Sequence, residues 1–372
     1  MSGRPVRVLH VIDSLNLGGA QEIVLNLTAC GHARFHHEVA TLHGRGVYWE
    51  RLASRGVPLH SLSPHKLIPL YIPRLAMLLH RGSFDILHCH LVASNILAKP
   101  IGALCGVPVI LNHDHTNDSY RATQRVRLAL DSLTNRAATH VIAVSASCRD
   151  FLVQREHVPP AKISLVKNAI DLTRFTPDHG ARANARHFFS IAEDTPLIVG
   201  VGRLHPQKNF HLFLEIAARI VKQIPNATFL IAGVGPEEAT LREAAQRLGL
   251  SERVHFAGYV ADTRLVYQAA DLLLMPSRFE GLPMTLLEAM AMRVPVVASA
   301  LDGIAEVVTD RKDGLLCDPN DADAFAQSAV LLLSDNRLAG TLADNARATV
   351  SAQYSVTRMV AEVESIYDRF SP

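Results

Sequence analysis

Leu272-Leu-Leu-Met-Pro-Ser-Arg-Phe-Glu-Gly-Leu-Pro-Met-Thr-Leu-Leu-Glu288 reads as a strand, a turn and a helix in one short stretch. The apolar run 272–275 is the strand, the Gly/Pro-punctuated segment after it the turn, and Met284 to Met292 a run of strong helix formers. Pro283 suits the first helical position, where its missing N–H is no loss. The amides around Leu282, Met284 and Thr285 then form an anion site at the helix start. Glu280 falls at the tip of a strand, where burial without a partner or ligand is costly. Glu288 falls on the helix. Acid, amide cluster, acid suits a ligand that carries both phosphates and hydroxyls.

The same alternation runs outward in both directions. Val6 to Ile12, Val39 to Leu42, Ile86 to Cys89, Val109 to Asn112 and Val141 to Val144 are predicted strands separated by helical runs. The pattern pauses at the polar, Pro/Gly-containing segment Asp171 to Arg182, with a helical patch near Arg186 to Ile191. It restarts with Leu197 to Val201, Thr228 to Ala232, Val254 to Ala257, 272–275 and Val294 to Ala298. Short β-branched strands alternating with helices predict parallel βαβ units, here in two similar doubly wound halves. A chain of 372 residues is long enough for two such cores. No repeat of short period or low-complexity tract interrupts them.

Composition narrows the partners. A net charge of +2 with no concentrated basic face argues against nucleic acid as a partner. Cys30, Cys89, Cys105, Cys148 and Cys317 are odd in number, scattered and without a CxxC pair, which fits reduced thiols and a cytoplasmic setting. The N-terminal apolar run is too short and interrupted for a signal peptide and reads as a first strand. The longest apolar stretch, Leu91 to Leu111, carries Asn95, Lys99, Pro100 and Pro108 and reads as a helix followed by a strand rather than a membrane span.

Ligands of open parallel sheets sit beyond the C-terminal strand ends, and six such places stand out. Gly18-Gly19-Ala20-Gln21 follows the first strand, where paired glycines admit a ligand to a helix start or make a mere tight turn. His113-Asp114-His115-Thr116 follows the strand at Val109, its histidines spaced to share one face. Zinc needs three or four protein ligands, and neither this pair nor His88 with His90 has an evident third, so a metal is not expected. Backbone-satisfied histidines or residues contacting substrate are the alternatives. Arg203 and Lys208 lie on the Gly/Pro-shaped loop after Val201, and could do for a departing diphosphate what a magnesium ion does elsewhere. Gly233-Val234-Gly235-Pro236 and Gly258-Tyr259-Val260 could offer main-chain groups to a nucleobase or be ordinary turns. Ser277 to Gly281 leads into the two glutamates. Asp321-x-Asp323 follows Pro319 and Asn320 at a helix start and reads as capping rather than metal ligation.

In this order and combination, these segments resemble the retaining nucleotide-sugar glycosyltransferases of family 4, of GT-B fold, and in particular bacterial enzymes of surface-polysaccharide synthesis. The segments span nearly the whole chain and include Ala143-Val144-Ser145 and Asn168-Ala169-Ile170-Asp171 with Phe175. The resemblance implies α/β architecture: two Rossmann-like doubly wound parallel-sheet domains facing a central cleft. It implies an acceptor-binding domain over 1–175 and a donor-binding domain over 176–354. The helix at 355–372, with Met359, Val363, Ile366 and Phe370 on one face, would cross back to the first domain. It further implies that Arg203 and Lys208 hold the donor diphosphate, Glu288 the ribose hydroxyls and Glu280 the sugar hydroxyls. Main chain near Gly281, Leu282, Met284 and Thr285 would add phosphate contacts, with Gly258 and Tyr259 near the nucleotide and Gly18 and Gly19 reaching the phosphates from the first domain. A histidine near the sugar is implied as well, His113 being preferred to His115; Gln21 and Asn168 are further candidates. Val234 and Gln21 depart from the usual acids at their positions.

The reaction implied is transfer of a sugar from a nucleoside diphosphate sugar, UDP being the expected nucleotide, to a sugar or lipid-linked glycan acceptor with retention, without a metal or other cofactor. A nucleotide-sugar epimerase would instead turn over without an acceptor, and a non-catalytic binding subunit would not need all of Arg203, Lys208, Glu280 and Glu288. The mixed basic and apolar stretches Lys66 to Arg81 and Tyr120 to Arg136 could meet an anionic membrane surface or simply pack on a sheet.

Overall fold

The computed structural model describes residues 4–16, 18–63, 68–115 and 125–371. Two compact units divide the chain: Met1–Ala169 together with Val356–Pro372, and Ile170–Ser355. Each is built on one parallel sheet with helices on both faces, the α/β fold of the GT-B class.

In the first unit the strands are β1 (Val6–Ile12), β2 (Phe35–Thr41), β3 (Leu59–Ser61), β4 (Ile86–His90), β5 (Val109–Asp114), β6 (His140–Ala143) and β7 (Ile163–Leu165). Their order across the sheet is β3-β2-β1-β4-β5-β6-β7, so the direction of winding reverses between β1 and β4. The second unit repeats the plan with β8 (Leu197–Val201), β9 (Thr228–Ala232), β10 (Val254–Gly258), β11 (Leu272–Met275), β12 (Val296–Ser299) and β13 (Leu315–Cys317), ordered β10-β9-β8-β11-β12-β13. The reversal there lies between β8 and β11. The interior strands of the second sheet are continuous apolar runs because both of their faces are covered. Ile198, Phe213, Phe229, Ile231, Leu274 and Phe325 form the centre of one of its cores.

The first sheet is less ordinary. One face carries Leu9, Val11, Leu87, Cys89 and Ile110, packed under the helix Ile68–Gly82 through Tyr71, Leu75 and Leu79. The opposite face carries His10, His37, His88, His90 and His113, all buried. Register explains the grouping: His10 stands opposite His88, and His90 opposite His113. The helix Val356–Phe370 contributes Met359, Val363, Ile366 and Tyr367 to this unit, each buried. Side chains of that size contribute roughly 1.5–3 kcal/mol each when fully buried.

Several elements differ from the sequence expectation in ways that have physical causes. β3, β7 and β13 are three-residue strands at or near sheet edges, too short for periodicity to register. The helical patch expected near Arg186 begins earlier, at Arg182, and ends at Phe188. There the Arg186 guanidinium is buried and donates to the carbonyls of Ala192, Glu193 and Thr195. Pro283 is the N-cap of the helix Met284–Ala291 rather than its first residue, in an extended conformation. Asp321 caps the helix Ala322–Ser334 by accepting from the amides of Asp323 and Ala324. The stretch 91–111 resolves into the helix Val92–Leu104 and the start of β5. Among the described residues, no helix is long and apolar enough to cross a membrane.

His140 at the start of β6 supplies a pH test of this packing. Its Nε2 lies 2.8 Å from Ser164 Oγ and its ring lies tilted against Phe370, and burial, helped by Arg369 and Lys162, lowers its pKa to about 4. The unfolded imidazole takes its proton below about pH 6.5. The stabilisation is therefore complete above 6.5 and is lost as pH falls from there toward 4. Denaturant midpoints measured at pH 7 and pH 5 should differ more for the wild type than for His140→Gln; equal differences would remove His140 from the account.

Candidate functional site

Because the strands of the second sheet are all parallel, the loops that leave β8, β9, β10 and β11 emerge on one edge. Main-chain bonds lace them together. Gly202 N–H donates to Ala232 O, Leu204 N–H to Val234 O, and Gly233 N–H to Gly258 O. The Gly202 and Gly233 loops approach so closely that a Cβ on Gly233 would lie 1.8 Å from Gly202 O. No other residue fits there.

The loops after β8 and β11 meet through side chains. Lys208 Nζ donates to Glu280 Oε1 at 2.7 Å, and both side chains are largely buried. Ser277 Oγ, itself buried, donates to the same oxygen at 2.8 Å. Gln207 reaches the main chain of the second loop through Nε2 to Phe279 O at 3.2 Å, while its own carbonyl accepts from Arg278 N–H. Glu280 is thus held by one cation and one hydroxyl, with a longer 3.4 Å contact from Gln207 Nε2 to its other oxygen, which offsets the cost of burying a carboxylate. Arg203 is exposed, with a long 3.4 Å contact to Gln207 Oε1. Its guanidinium can turn toward an anion.

Glu288 lies one turn into the helix Met284–Ala291, and its Oε2 accepts from the buried Tyr267 hydroxyl at 2.9 Å. Burial and the Glu288 carboxylate raise the Tyr267 pKa well above its ordinary value, so the phenol stays a donor. No side chain caps the start of this helix. Gly281, Leu282 and Met284 are buried, Thr285 is half-buried with Oγ1 on Met275 Sδ, and Tyr259 remains 40% exposed beyond Gly258.

The first unit collects its own candidates. Gly18 is the N-cap of the helix Gly19–Cys30, again with no side-chain cap, and Gln21 Nε2 donates to Ser14 O. Asn168 is buried at the end of the unit. His113 is only 1% exposed and stacks between His88 and His115, with ring centroids at 5.2 and 4.3 Å. His115 is half-buried and approaches His90 Nδ1 through Nε2 at 3.2 Å. Among the described residues, two groups have the spacing to hold a metal ion: His10, His88 and His90, and His90, His113 and His115. Burial lowers the pKa of His10, His88, His90 and His113 well below the ordinary value, so these rings are neutral.

Arg203, Lys208 and Glu280 are thus brought together on one edge, with Glu288 on the adjoining helix. Sequence reasoning missed four neighbours. Ser277 was quoted in its motif, but nothing assigned its hydroxyl to Glu280. Gln207 and Tyr267 act across the fold, 73 and 21 positions from their carboxylates. Gly303 carries no local signal: a Cβ there would lie 2.0 Å from Gly281 O and 2.4 Å from Glu280 O, so this glycine lets the helix Asp302–Ala305 press against the Glu280 loop.

Comparison with known proteins follows the same division of the chain. The family model described as Glycosyltransferase Family 4 matches residues 17–174, and the one described as Glycosyl transferases group 1 matches residues 181–349. A UDP-Gal:alpha-D-GlcNAc-diphosphoundecaprenol alpha-1,3-galactosyltransferase of Escherichia coli is 28% identical over 79% of this chain and 77% of its own. The lipopolysaccharide core biosynthesis glycosyltransferase LpsE of Rhizobium meliloti is 35% identical over 50% of this chain and 53% of its own. Among solved structures, Anabaena HepE in complex with UDP and glucose superimposes with a TM-score of 0.89 at 21% identity, covering 98% of this chain and 99% of that one.

Two glycine substitutions test the close approach at the Glu280 loop. Gly303→Ala should destabilise the second unit by about 1–3 kcal/mol through overpacking, whereas Gly340→Ala, in a helix with open space around the added methyl, should stabilise it by roughly 0.5–1 kcal/mol. Denaturant midpoints of the two variants should therefore move in opposite directions.

Proposed function

The chain belongs to the GT-B glycosyltransferases of family 4, and we propose that it moves a sugar from UDP to a hydroxyl of a lipid-linked glycan with retention of configuration, in polysaccharide or glycolipid synthesis. The observation that carries this reading is the junction of the loops after β8 and β11, where Lys208 meets Glu280 at 2.7 Å beside the exposed Arg203. The E. coli relative, named for UDP-galactose and a diphosphoundecaprenol-linked sugar, supports the choice of donor and acceptor class. The matches reported are transferases, so the epimerase reading and the non-catalytic reading have no support from them.

In the proposed reaction the bond from the sugar's anomeric carbon to the β-phosphate oxygen breaks. The acceptor oxygen bonds to the same carbon on the same face, and its proton passes to the departing phosphate. Arg203 and Lys208 stabilise the charge that grows on the diphosphate, doing so without a metal. Main-chain amides at Gly281, Leu282, Met284 and Thr285 add to this field. Gly18 and Gly19, at a helix start with no side-chain cap in the first unit, are assigned to phosphate. Glu280 takes the donor sugar hydroxyls, Glu288 the ribose, and Gly258 and Tyr259 the base. Of the two histidines proposed near the sugar, His115 has more solvent access and His113 stacks behind it. Gln21 and Asn168 are assigned to the substrate side of the first unit.

A cytoplasmic protein acting on a lipid-linked acceptor has to work at a membrane face. Val126 and Leu133, 76% and 56% exposed, lie on the helix Arg125–Thr134, which also carries Arg125 and Arg127. That helix packs on Val92–Leu104, whose Leu104 is 90% exposed. Lys66 and Arg121, part of the same sequence stretches, lie outside the described residues. Apolar side chains flanked by arginines suit peripheral contact with anionic lipid.

Incubation with UDP-, GDP- and ADP-sugars, with and without lipid-linked acceptors, should give transfer that needs both acceptor and a UDP-sugar and persists in EDTA; turnover without acceptor would sink the proposal. Glu288→Ala should weaken UDP-sugar binding at least tenfold by calorimetry, and an unchanged Kd would remove Glu288 from the site. Wild type should co-sediment with phosphatidylglycerol vesicles and Val126→Glu/Leu133→Glu should not; equal sedimentation of the two would discard the membrane face.

A further inference from the structure

The histidine face of the first sheet has an internal order that packing alone does not require. Three of its rings each have one nitrogen engaged by an outer partner. His10 Nε2 meets His37 Nδ1 at 2.9 Å, His88 Nδ1 meets the Tyr367 hydroxyl at 2.6 Å, and His90 Nδ1 meets His115 Nε2 at 3.2 Å. That leaves His10 Nδ1, His88 Nε2 and His90 Nε2, in a group whose ligand atoms lie within 4.8 Å of one another. All three residues are 0% exposed.

The remaining nitrogens are poorly satisfied by protein alone. His10 Nδ1 and His90 Nε2 face each other at 3.0 Å and can share one proton, but His88 Nε2 is buried with no hydrogen-bond partner. Leaving such a group unpaired is costly. Both nitrogens of neighbouring His113 are in the same position. A ring anchored through one nitrogen and turned inward with the other is the arrangement in which histidine binds metals, because the outer hydrogen bond fixes tautomer and orientation. With metal–nitrogen bonds of about 2.0–2.1 Å, two imidazoles on one tetrahedral ion stand roughly 3.3 Å apart. The 3.0 Å separation of His10 and His90 is close to that spacing.

We propose that the first unit binds one divalent transition-metal ion of the zinc class through His10, His88 and His90. The donors are three neutral nitrogens, which suit zinc, cobalt, nickel or copper and not magnesium or calcium. His10 is the third ligand that the His88–His90 spacing lacks in the linear sequence, and the β1–β4 register supplies it. The fourth position is left to water or hydroxide, the latter offsetting part of the ion's charge. Bound there, the ion ties β1 to β4 and, through the Tyr367 contact, to the helix Val356–Phe370. The site lies in the first unit and is independent of how the donor diphosphate is neutralised in the second.

The test uses the full chain without an affinity tag, unfolded in chelator, refolded, and loaded with Zn²⁺ or Co²⁺ before gel filtration. One equivalent of metal per chain, a tetrahedral Co²⁺ absorption band and a denaturant midpoint raised by Zn²⁺ are expected. With 19 histidines in the chain, adventitious binding is controlled by variants: His88→Gln should lose one equivalent and the cobalt band, and exposed His36→Gln should keep both. If His88→Gln fails to fold, the wild-type stoichiometry, spectrum and midpoint decide. A wild type that retains no stoichiometric metal and whose midpoint ignores Zn²⁺, or a folded His88→Gln that keeps the band, overturns the proposal.

Discussion

Parallel pairing makes every strand of a sheet end on the same edge, and in the second unit this constraint converts sequence distance into contact. β8 and β11 are separated by two βα units in the chain, yet they are neighbours in the sheet. Their following loops have nowhere else to go. Lys208 and Glu280, 72 positions apart, meet there as a buried ion pair. Removing one member of such a pair leaves the other uncompensated, at a cost of about 3–5 kcal/mol. Glu280 is therefore both a candidate ligand and a fastening between loops, and the two duties share one carboxylate.

The close backbone contacts serve the same edge. Gly233 against Gly202 and Gly303 against Gly281 are places where a methyl group would displace main chain. They fix the loops from two sides, one through the loop after β9 and one through the helix after β12. Tyr267 does for Glu288 what Ser277 does for Glu280, supplying a neutral donor that orients the carboxylate without discharging it.

Much of this was legible before any coordinates. The ten long strands announce themselves as β-branched or leucine-rich runs, and the break after Ala169 is visible in the polar segment that follows. β3, β7 and β13 were not legible, because three residues cannot establish a period and their pairing is set by the sheet beside them. Glu280, Glu288, Arg203 and Lys208 could be picked out because their charges sit in Gly/Pro loops or beside a helix start. Tyr267, Gln207 and Gly303 could not, since each looks ordinary in its own element and gains its role from a partner elsewhere. The histidines are an intermediate case: two His-x-His spacings are plain in the sequence, but their union with His10 and His37 depends on strand register, which no local pattern carries.

The second unit is an insertion in the first. The chain leaves the first unit at Ala169 and returns at Val356, and at the crossing Ile170 pairs with Ser355 while its N–H donates to Tyr354 O. During synthesis the ribosome emits the first sheet early, then makes the whole of the second unit before the helix that carries Tyr367 appears. Tyr367, the hydroxyl that anchors His88, is made only after the whole of the second unit. The unit whose sheet is made before the second unit is thus completed after it.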